Sequence, residues 1–410
     1  MSDLPTPKWV NQELFHGFLE QSNGDFKAIL KFVPTSAISK GENYLTIVLR
    51  IQIAMQLKDD STEDISYILK IPLVPEGEDD DFHEMFDSEI KMYDHLIPEL
   101  EELYTKNTAI SPKFKPTHFK FPGTVVKSDY MLLEDLRKKG YRNADRTQGL
   151  EQFEVEAALK KLAQWHAASA KRVVELGEYE KGIRESYFTT EHQKLLDEFN
   201  INFSMPFLEC MQKYNLDPGQ LVLISDYTSR LTDLYIEFGK NDPMELSVLN
   251  HGDFWCNNFM FKYKDNGSEV EDVCFVDFQL SKYGTPAQDL LCMLMTSPKF
   301  SIKLEKFDHF IEYYHQQLCE HLSLLNYNRN APTLAQFHTH LHRYSLWAFI
   351  CAQRMLPIVL LPPDVDSNIG NVMGNSEEAI SFKRKMFLLP AYVDQIKVIL
   401  PWLINRGYIR

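Results

Sequence analysis

Hydrophobic and polar residues alternate along the first third of the chain in a pattern typical of β-strands. From Tyr44 to Ile53 an aliphatic residue stands at every second position, which indicates a strand with one buried face. Two neighbouring segments, Asp25 to Val33 and Ile65 to Ile71, are also rich in apolar residues. We therefore expect a small antiparallel sheet in this part of the chain.

A loop with the sequence PTSAISKGEN joins the first two predicted strands. Its serine and glycine residues could place backbone N–H groups and hydroxyls around a phosphate. An ordinary hairpin connection is the simpler explanation, because the loop lacks the G-x-G-x-x-G fingerprint. Asn43 and Tyr44, around the end of this loop, are candidate nucleotide-binding residues.

A lysine interrupts the third predicted strand. Lys70 lies on the face opposite Tyr67 and Leu69, inside the apolar stretch ILKI, and a lysine there needs a partner. The predicted helix that follows offers one, because its apolar stripe contains a single carboxylate. That stripe consists of Phe82, Phe86, Glu89, Tyr93, Leu96 and Ile97. Kinases hold the α- and β-phosphates of ATP with such a lysine–glutamate pair, although a structural salt bridge would give the same pattern.

The hydrophobic period changes in the middle of the chain. An apolar strand from Asp129 to Leu136 ends in acidic residues and suits a hinge between lobes. The backbone around Glu134 and Leu136 could then hydrogen-bond the edge of an adenine ring. Later segments have helical periodicity; they begin near Gln152 and include 190–214 and 221–238.

The most specific pattern is NHGDFWCNNFMF, which is followed by VCFVDFQ. His251, Asp253 and Asn258 match H-x-D-x-x-x-x-N, and Asp277 opens DFQ where protein kinases carry DFG. Phosphoryl transfer requires an oriented hydroxyl and neutralised phosphate charge. Asp253 would accept the proton of the acceptor hydroxyl, and His251 would orient the loop. Asn258 and Asp277 would hold Mg²⁺ through their oxygen atoms.

Turns between strands often contain Asp and Asn, so each short piece alone has a structural explanation. Their order along the chain favours an α+β, bilobal protein-kinase-like fold that uses ATP and Mg²⁺. We predict an antiparallel-sheet, nucleotide-binding lobe over residues 1–135. A large, mostly helical lobe with the catalytic loop and an acceptor-binding insert would span 136–410.

Two departures from protein kinases favour a small-molecule acceptor. Gly252 stands where protein kinases carry an arginine that senses a phosphorylated activation loop. Asp289 follows Asp277 by only 12 residues, which leaves no long activation segment to hold a peptide. We expect Asp289 to begin a helix and to brace the catalytic loop. Trp255, close to Asp253, is the best single candidate for the acceptor pocket.

The net charge of −15 and the absence of long basic runs argue against nucleic acid and anionic membranes as partners. No window has the length and apolarity of a membrane span, and the first residues do not resemble a signal peptide. We therefore expect a cytoplasmic protein without an obligate protein partner. His166 is expected to be a core histidine. A metal site at His338, His340 and His342 is disfavoured, because on a helix only His338 and His342 share a face and no third ligand is evident.

The chain resembles the ecdysteroid kinase-like family of insect proteins, which is related to choline kinases and aminoglycoside phosphotransferases. The matching segments are KGENY (40–44), YILK (67–70), LLEDL (132–136), WHAASA (165–170), NHGDFWCNN (250–258), VDFQ (276–279) and PAQDLL (286–291), together with the Glu89 helix. The resemblance implies ATP-dependent phosphorylation of a hydroxyl on an ecdysteroid or another lipophilic compound. A catalytically silent ligand-binding relative and a kinase for choline-like acceptors are the alternatives.

Overall fold

The computed structural model describes residues 6–37, 46–73, 81–123, 126, 129–265, 267–363, 365 and 369–410. The candidate nucleotide-binding residues Asn43 and Tyr44 lie outside these ranges.

A five-stranded antiparallel sheet forms the N-terminal part of the protein, with the strand order β1-β2-β3-β5-β4. Its core is the alternating face of β2, where Leu49, Ile51 and Ile53 are buried against helix α1. The predicted strands are therefore confirmed, and each of the first three extends beyond its predicted end. The strands are β1 (Phe26–Ser36), β2 (Thr46–Leu57), β3 (Thr62–Pro72), β4 (His118–Phe119) and β5 (Met131–Glu134), and α1 spans Gln12–Ser22.

The helical segment after β3 is interrupted by a π-helical turn. Helix α2 (Asp81–Lys91) carries Glu89, the turn spans Met92–Leu96, and α3 (Ile97–Asn107) continues the segment. The stripe predicted from the sequence is buried at Phe86, Glu89, Tyr93 and Ile97. Phe86, Tyr93 and Ile97 share a core with the C-terminal helices. The π-helical turn was not predicted, because the apolar stripe alone does not reveal an inserted residue.

Two small sheets position the catalytic segments. The first has the order β6-β8-β9, and β7 pairs with β10 in the second. Asp253 follows β7, and Asp277 follows β9, so both aspartates lie just beyond strand ends. The strands are β6 (Tyr141–Arg142), β7 (Val248–Asn250), β8 (Phe259–Tyr263), β9 (Val270–Phe275) and β10 (Lys282–Gly284).

Helices make up most of the remaining chain. The longest is α4, whose alanine-rich sequence packs tightly and whose start is held by a capping box between Glu151 and Glu154. The helices are α4 (Gln152–Leu176), α5 (Lys181–Arg184), α6 (Gln193–Met211), α7 (Pro218–Ser229), α8 (Leu231–Phe238), α9 (Ala287–Thr296), α10 (Phe300–Lys303), α11 (Phe307–Leu324), α12 (Leu334–Arg343), α13 (Leu346–Ile350), α14 (Leu356–Val359), α15 (Ile369–Met373), α16 (Glu377–Phe387) and α17 (Pro390–Asn405). A second π-helical turn, Cys351–Met355, joins α13 to α14.

One expectation for the helical part needs correction. The segment 221–238 is two helices that meet at Arg230, because the backbone there leaves the helical region. The described part of the stretch from Leu360 to Glu378 contains α15, whose Val372 is buried. The division of the chain at residue 135 stays a prediction.

By length and composition, no single helix in the described ranges could cross a membrane; α16 and α17 pass only as a pair, bent by 70°. All six cysteines are free, and five of them are buried. His338, His340 and His342 form no metal cluster within the described residues, and the His340 ring instead contacts Thr285 and Glu245.

Candidate active site

Lys70 joins the N-terminal sheet to the catalytic segments. Its Nζ atom lies 2.5 Å from Glu89 Oε2 and 2.7 Å from Asp277 Oδ1. Lys70 and Glu89 are buried, whereas the Asp277 side chain keeps 28% of its surface exposed. Burial opposes the charge of Lys70, but the two carboxylates outweigh it and raise the pKa of Lys70 above its usual value. Lys70 is therefore positively charged and held in place by two carboxylates. Of these two, Asp277 is the one exposed to solvent.

Asp253 and Asn258 are held together on the catalytic loop. The Asn258 side-chain amide donates to the Asp253 backbone oxygen at 2.9 Å and to its carboxylate at 2.7 Å. The Trp255 indole donates to the same carboxylate oxygen at 3.2 Å. A turn of 3-10 helix, Cys256–Asn258, brings these residues together within a short span of chain. Trp255, the acceptor-pocket candidate, thus lies against the carboxylate of Asp253, the candidate base.

Negative charge accumulates at this site. Burial, reinforced by the charge of Asp277, raises the pKa of Asp253 to about 7. Hydrogen bonds from Trp255 and Asn258 act in the opposite direction but do not cancel the effect. A cation bound beside Asp277 would offset the repulsion by Asp277, lower the pKa of Asp253 and so favour its charged, basic form.

The backbone of the site adopts unusual conformations at two residues. Asp277 has a φ of 68°, which is costly for a residue with a side chain and is often found at functional sites. Gly252 has a φ of 87°, and a Cβ atom there would lie 1.9 Å from the Leu280 carbonyl oxygen. Glycine at this position therefore has a local steric reason, beyond the loss of a phosphate-sensing arginine that the sequence suggested.

Asp289, at the start of α9, holds the backbone of the candidate catalytic loop. Its carboxylate accepts hydrogen bonds from the backbone N–H groups of His251 at 2.6 Å and of Gly252 at 2.9 Å. The His251 ring contacts the Val276 carbonyl at 2.9 Å, which ties the loop to the strand end before Asp277. His166 is a fully buried core histidine that contacts Tyr314 and Asp289. These contacts agree with the supporting positions expected from the sequence.

The predicted hinge lies at the end of β5. Glu134 uses its backbone N–H to bond the Thr117 carbonyl at 2.9 Å, and its side chain contacts Thr117 and Lys139. Leu136 begins a turn of 3-10 helix that spans Leu136–Lys139. The adenine contact proposed for Glu134 and Leu136 remains a prediction.

Sequence reasoning missed the residue between them. Asp135 is buried and accepts hydrogen bonds from Arg50 Nε at 2.8 Å and Ser66 Oγ at 2.7 Å. It therefore ties the hinge to β2 and β3. The partners are 85 and 69 residues away, and only their positions on adjacent strands could have suggested the contact.

Residues 40–327 match the model of the ecdysteroid kinase-like family, which is most of the chain. The chain belongs to the ecdysteroid kinase-like family. As a member of this family, it is a small-molecule kinase, a phosphotransferase with an alcohol group as acceptor. No curated protein matches the sequence significantly.

Solved structures support the fold of this family member. Choline kinase from Cryptosporidium parvum Iowa II is 12% identical, with 97% of this chain and 98% of that chain covered and a TM-score of 0.51. A thermostable mutant of aminoglycoside phosphotransferase APH(4)-Ia, in a ternary complex with AMP-PNP and hygromycin B, is 12% identical over 94% and 98% of the chains, with a TM-score of 0.38. The first similarity supports the bilobal, protein-kinase-like α+β fold; the second is too weak to add to it.

Proposed function

We propose that this protein transfers the γ-phosphoryl group of ATP to a hydroxyl of a small lipophilic molecule, with Mg²⁺ as cofactor. The observation that carries the proposal is the double contact of Lys70 with Glu89 and Asp277. It joins a strand of the sheet, the following helix and the segment after β9 at one point.

The donor atoms at the site suit magnesium. Asp277 supplies a partly exposed carboxylate, and the Asn258 amide nitrogen is already used by Asp253. The Asn258 oxygen takes no hydrogen bond from the described residues, so it is free to coordinate a cation. Carboxylate and amide oxygens are the hard ligands that Mg²⁺ prefers. When bound there, the ion would neutralise phosphate charge.

The chain's own residues would then have distinct roles. Lys70 would contact the α- and β-phosphates, with Glu89 holding its ammonium group in place. Asp253 would orient the acceptor hydroxyl and accept its proton as the oxygen bonds to phosphorus and the nucleoside diphosphate leaves. Asp289 would keep the loop in position through the backbone bonds of His251 and Gly252.

Two alternatives make different predictions. A catalytically silent relative would lack transfer activity, but Lys70, Glu89, Asp253, Asn258 and Asp277 are all present and in contact or near one another. A kinase for choline-like acceptors would phosphorylate cationic alcohols, which a cage of aromatic and acidic residues would recognise.

An acceptor screen tests the proposal directly. Purified protein is incubated with Mg-ATP and a panel of ecdysteroids, plant phenolics and choline-like alcohols, and mass spectrometry is used to detect a phosphate adduct. We expect an adduct with a lipophilic hydroxyl compound and none for Asp253→Asn. An adduct with choline-like alcohols alone would favour the cationic-acceptor alternative, and no adduct with any alcohol would favour the silent relative.

A further inference from the structure

A buried arginine lies between helices α6 and α8, outside the catalytic loop. Arg354 is only 4% exposed and sits on the π-helical turn Cys351–Met355. Its guanidinium donates to Asn200 Oδ1 at 2.5 Å, and to the Tyr235 hydroxyl and Gln353 Oε1 at 3.4 Å each. All three partners are neutral. Within the described residues, Arg354 forms no ion pair with a carboxylate.

A second buried cation lies nearby, again without a counter-charge. Lys383 on α16 is fully buried and donates to the Gly374 carbonyl oxygen at 2.6 Å. Its Nζ atom lies 5.0 Å from the centroid of the Phe203 ring, and the Arg354 guanidinium lies 5.4 Å from the same centroid. Two positive charges therefore border one aromatic ring in a region where the described chain places no acidic partner for either.

Donor groups around Arg354 also lack partners. The Gln353 Nε2 and Trp347 Nε1 atoms are buried and form no hydrogen bond with the described residues. Trp347 packs on Tyr235 with ring centroids 5.8 Å apart, and Arg354 lies 5.7 Å from the Tyr235 centroid. Gln353 and Trp347 therefore belong to the same cluster as Arg354. We name Asn200, Tyr235, Trp347, Gln353 and Arg354 the donor cluster.

Aromatic contacts do not compensate for this burial. The attraction of a cation to an aromatic ring is smaller than the cost of burying an ion, even after the surroundings relax. Neutral hydrogen-bond acceptors recover part of the difference, but two of the three bonds to Arg354 are long. The cluster has an excess of positive charge and of unused donors. An oxyanion would satisfy both.

A series of contacts connects the donor cluster with strand β7, which precedes Asp253. Lys282 pairs with Asn250, the last residue of β7, and its Nζ atom lies 4.0 Å from the centroid of the Tyr187 ring. The next residue, Phe188, stacks on Tyr235 with centroids 4.5 Å apart. The segment Tyr187–Phe188 thus contacts both Lys282, beside β7, and Tyr235 of the donor cluster.

We propose that the donor cluster binds an oxyanion, such as a carboxylate, carried by the acceptor molecule. This inference rests on the proposed function, because it assigns the acceptor of the same active site. Arg354 would pair with the oxyanion, and Gln353 and Trp347 would donate to its oxygen atoms. The aromatic residues would contact an apolar body between the oxyanion and the reacting hydroxyl. Such a cluster disfavours cationic acceptors.

The test measures binding without nucleotide, so it does not depend on phosphoryl transfer. The full chain is titrated with 4-hydroxycinnamate and with its methyl ester, which differ only in the charged group, while thermal unfolding is recorded. We expect the acid to bind at least about tenfold more tightly than the ester, the effect of one charge-assisted contact. Arg354→Met should lose this preference, and its melting temperature without ligand should be unchanged or higher because an unpaired charge is removed.

Arg384→Met is the matched control, because Arg384 is an arginine on α16 that pairs with Glu209 at the surface. It should keep the preference for the acid. The proposal is overturned if the wild-type protein binds acid and ester alike, or if Arg354→Met retains the preference. Should Arg354→Met fail to fold, Arg354→Gln replaces it, and the wild-type comparison still decides. Failure to detect any phosphate adduct would contradict the proposed function instead.

Discussion

At the scale of single residues, the hydrogen bonds to Asp253 do not require its negative charge, so a neutral side chain of the same shape should keep the same position. The carboxylate oxygen that accepts from Asn258 and Trp255 could be replaced by the amide oxygen of an asparagine. We therefore expect Asp253→Asn to fold normally. Its kcat should fall by about 10²–10⁴, the range for removal of a general base, with little change in nucleotide affinity.

Steady-state kinetics with the acceptor found by the screen checks this expectation, and the exposed Asp226→Asn serves as control. A variant with near-normal kcat would show that Asp253 is not the base.

Gly252 tests the steric argument for the loop. Gly252→Ala should destabilise the protein and abolish activity, because its Cβ would clash with the Leu280 carbonyl oxygen. Gly267→Ala is a matched control, since Gly267 also has a positive φ, of 68°, but open space around it. The free energy of unfolding of the control should fall by only about 1–2 kcal/mol, the cost of a left-handed backbone at a residue with a Cβ atom. Equal free energies of unfolding for the two variants, measured in urea, would argue against the clash.

At the scale of secondary-structure elements, Asp135 fastens the hinge to the sheet. Burial raises its pKa, but hydrogen bonds from Arg50 and Ser66 outweigh burial and hold the pKa of Asp135 below its usual value of 3.8. The stabilisation is therefore complete above pH 3.8 and is lost as the pH falls through the depressed pKa. Asp135→Asn should cost about 1.5–3 kcal/mol at pH 6, the value of a hydrogen bond to a charged group.

The difference in unfolding free energy between wild type and Asp135→Asn should stay constant from pH 6 to pH 4 in urea titrations and shrink as the pH falls further below 3.8. The exposed Asp265→Asn should show no such dependence. A difference that is constant with pH would mean that the Asp135 charge does not stabilise the hinge.

Secondary-structure elements with a clear hydrophobic periodicity could be predicted from the sequence. Features that depend on contacts between residues far apart in the sequence could not. The alternation in β2 and the apolar stripe around Glu89 arise from local periodicity, so both were visible in the sequence. The break at Arg230 and the π-helical turn Cys351–Met355 leave no periodic signal. Arg354 on that turn was therefore not singled out, because its significance depends on helices that are far away in the sequence.

At the scale of the whole molecule, Lys70 marks the point where the sheet and the helical part meet. The candidate catalytic residues could be proposed from the sequence because their spacing matches the roles expected of them: a base, a metal ligand five residues later, and a second ligand after the next hairpin. The donor cluster, which we propose binds the acceptor, has no such spacing. It is assembled from α6, α8 and the segment before α14, so only the fold brings it together.

Nucleotide binding tests the central claim most directly, without any knowledge of the acceptor. Titration calorimetry with a non-hydrolysable ATP analogue should show tight binding only with Mg²⁺ for the wild-type protein. Lys70→Met should weaken binding with or without the ion, and Asp277→Asn should remove the magnesium dependence. Absence of binding by the folded wild-type protein, or binding that neither substitution alters, would contradict the account.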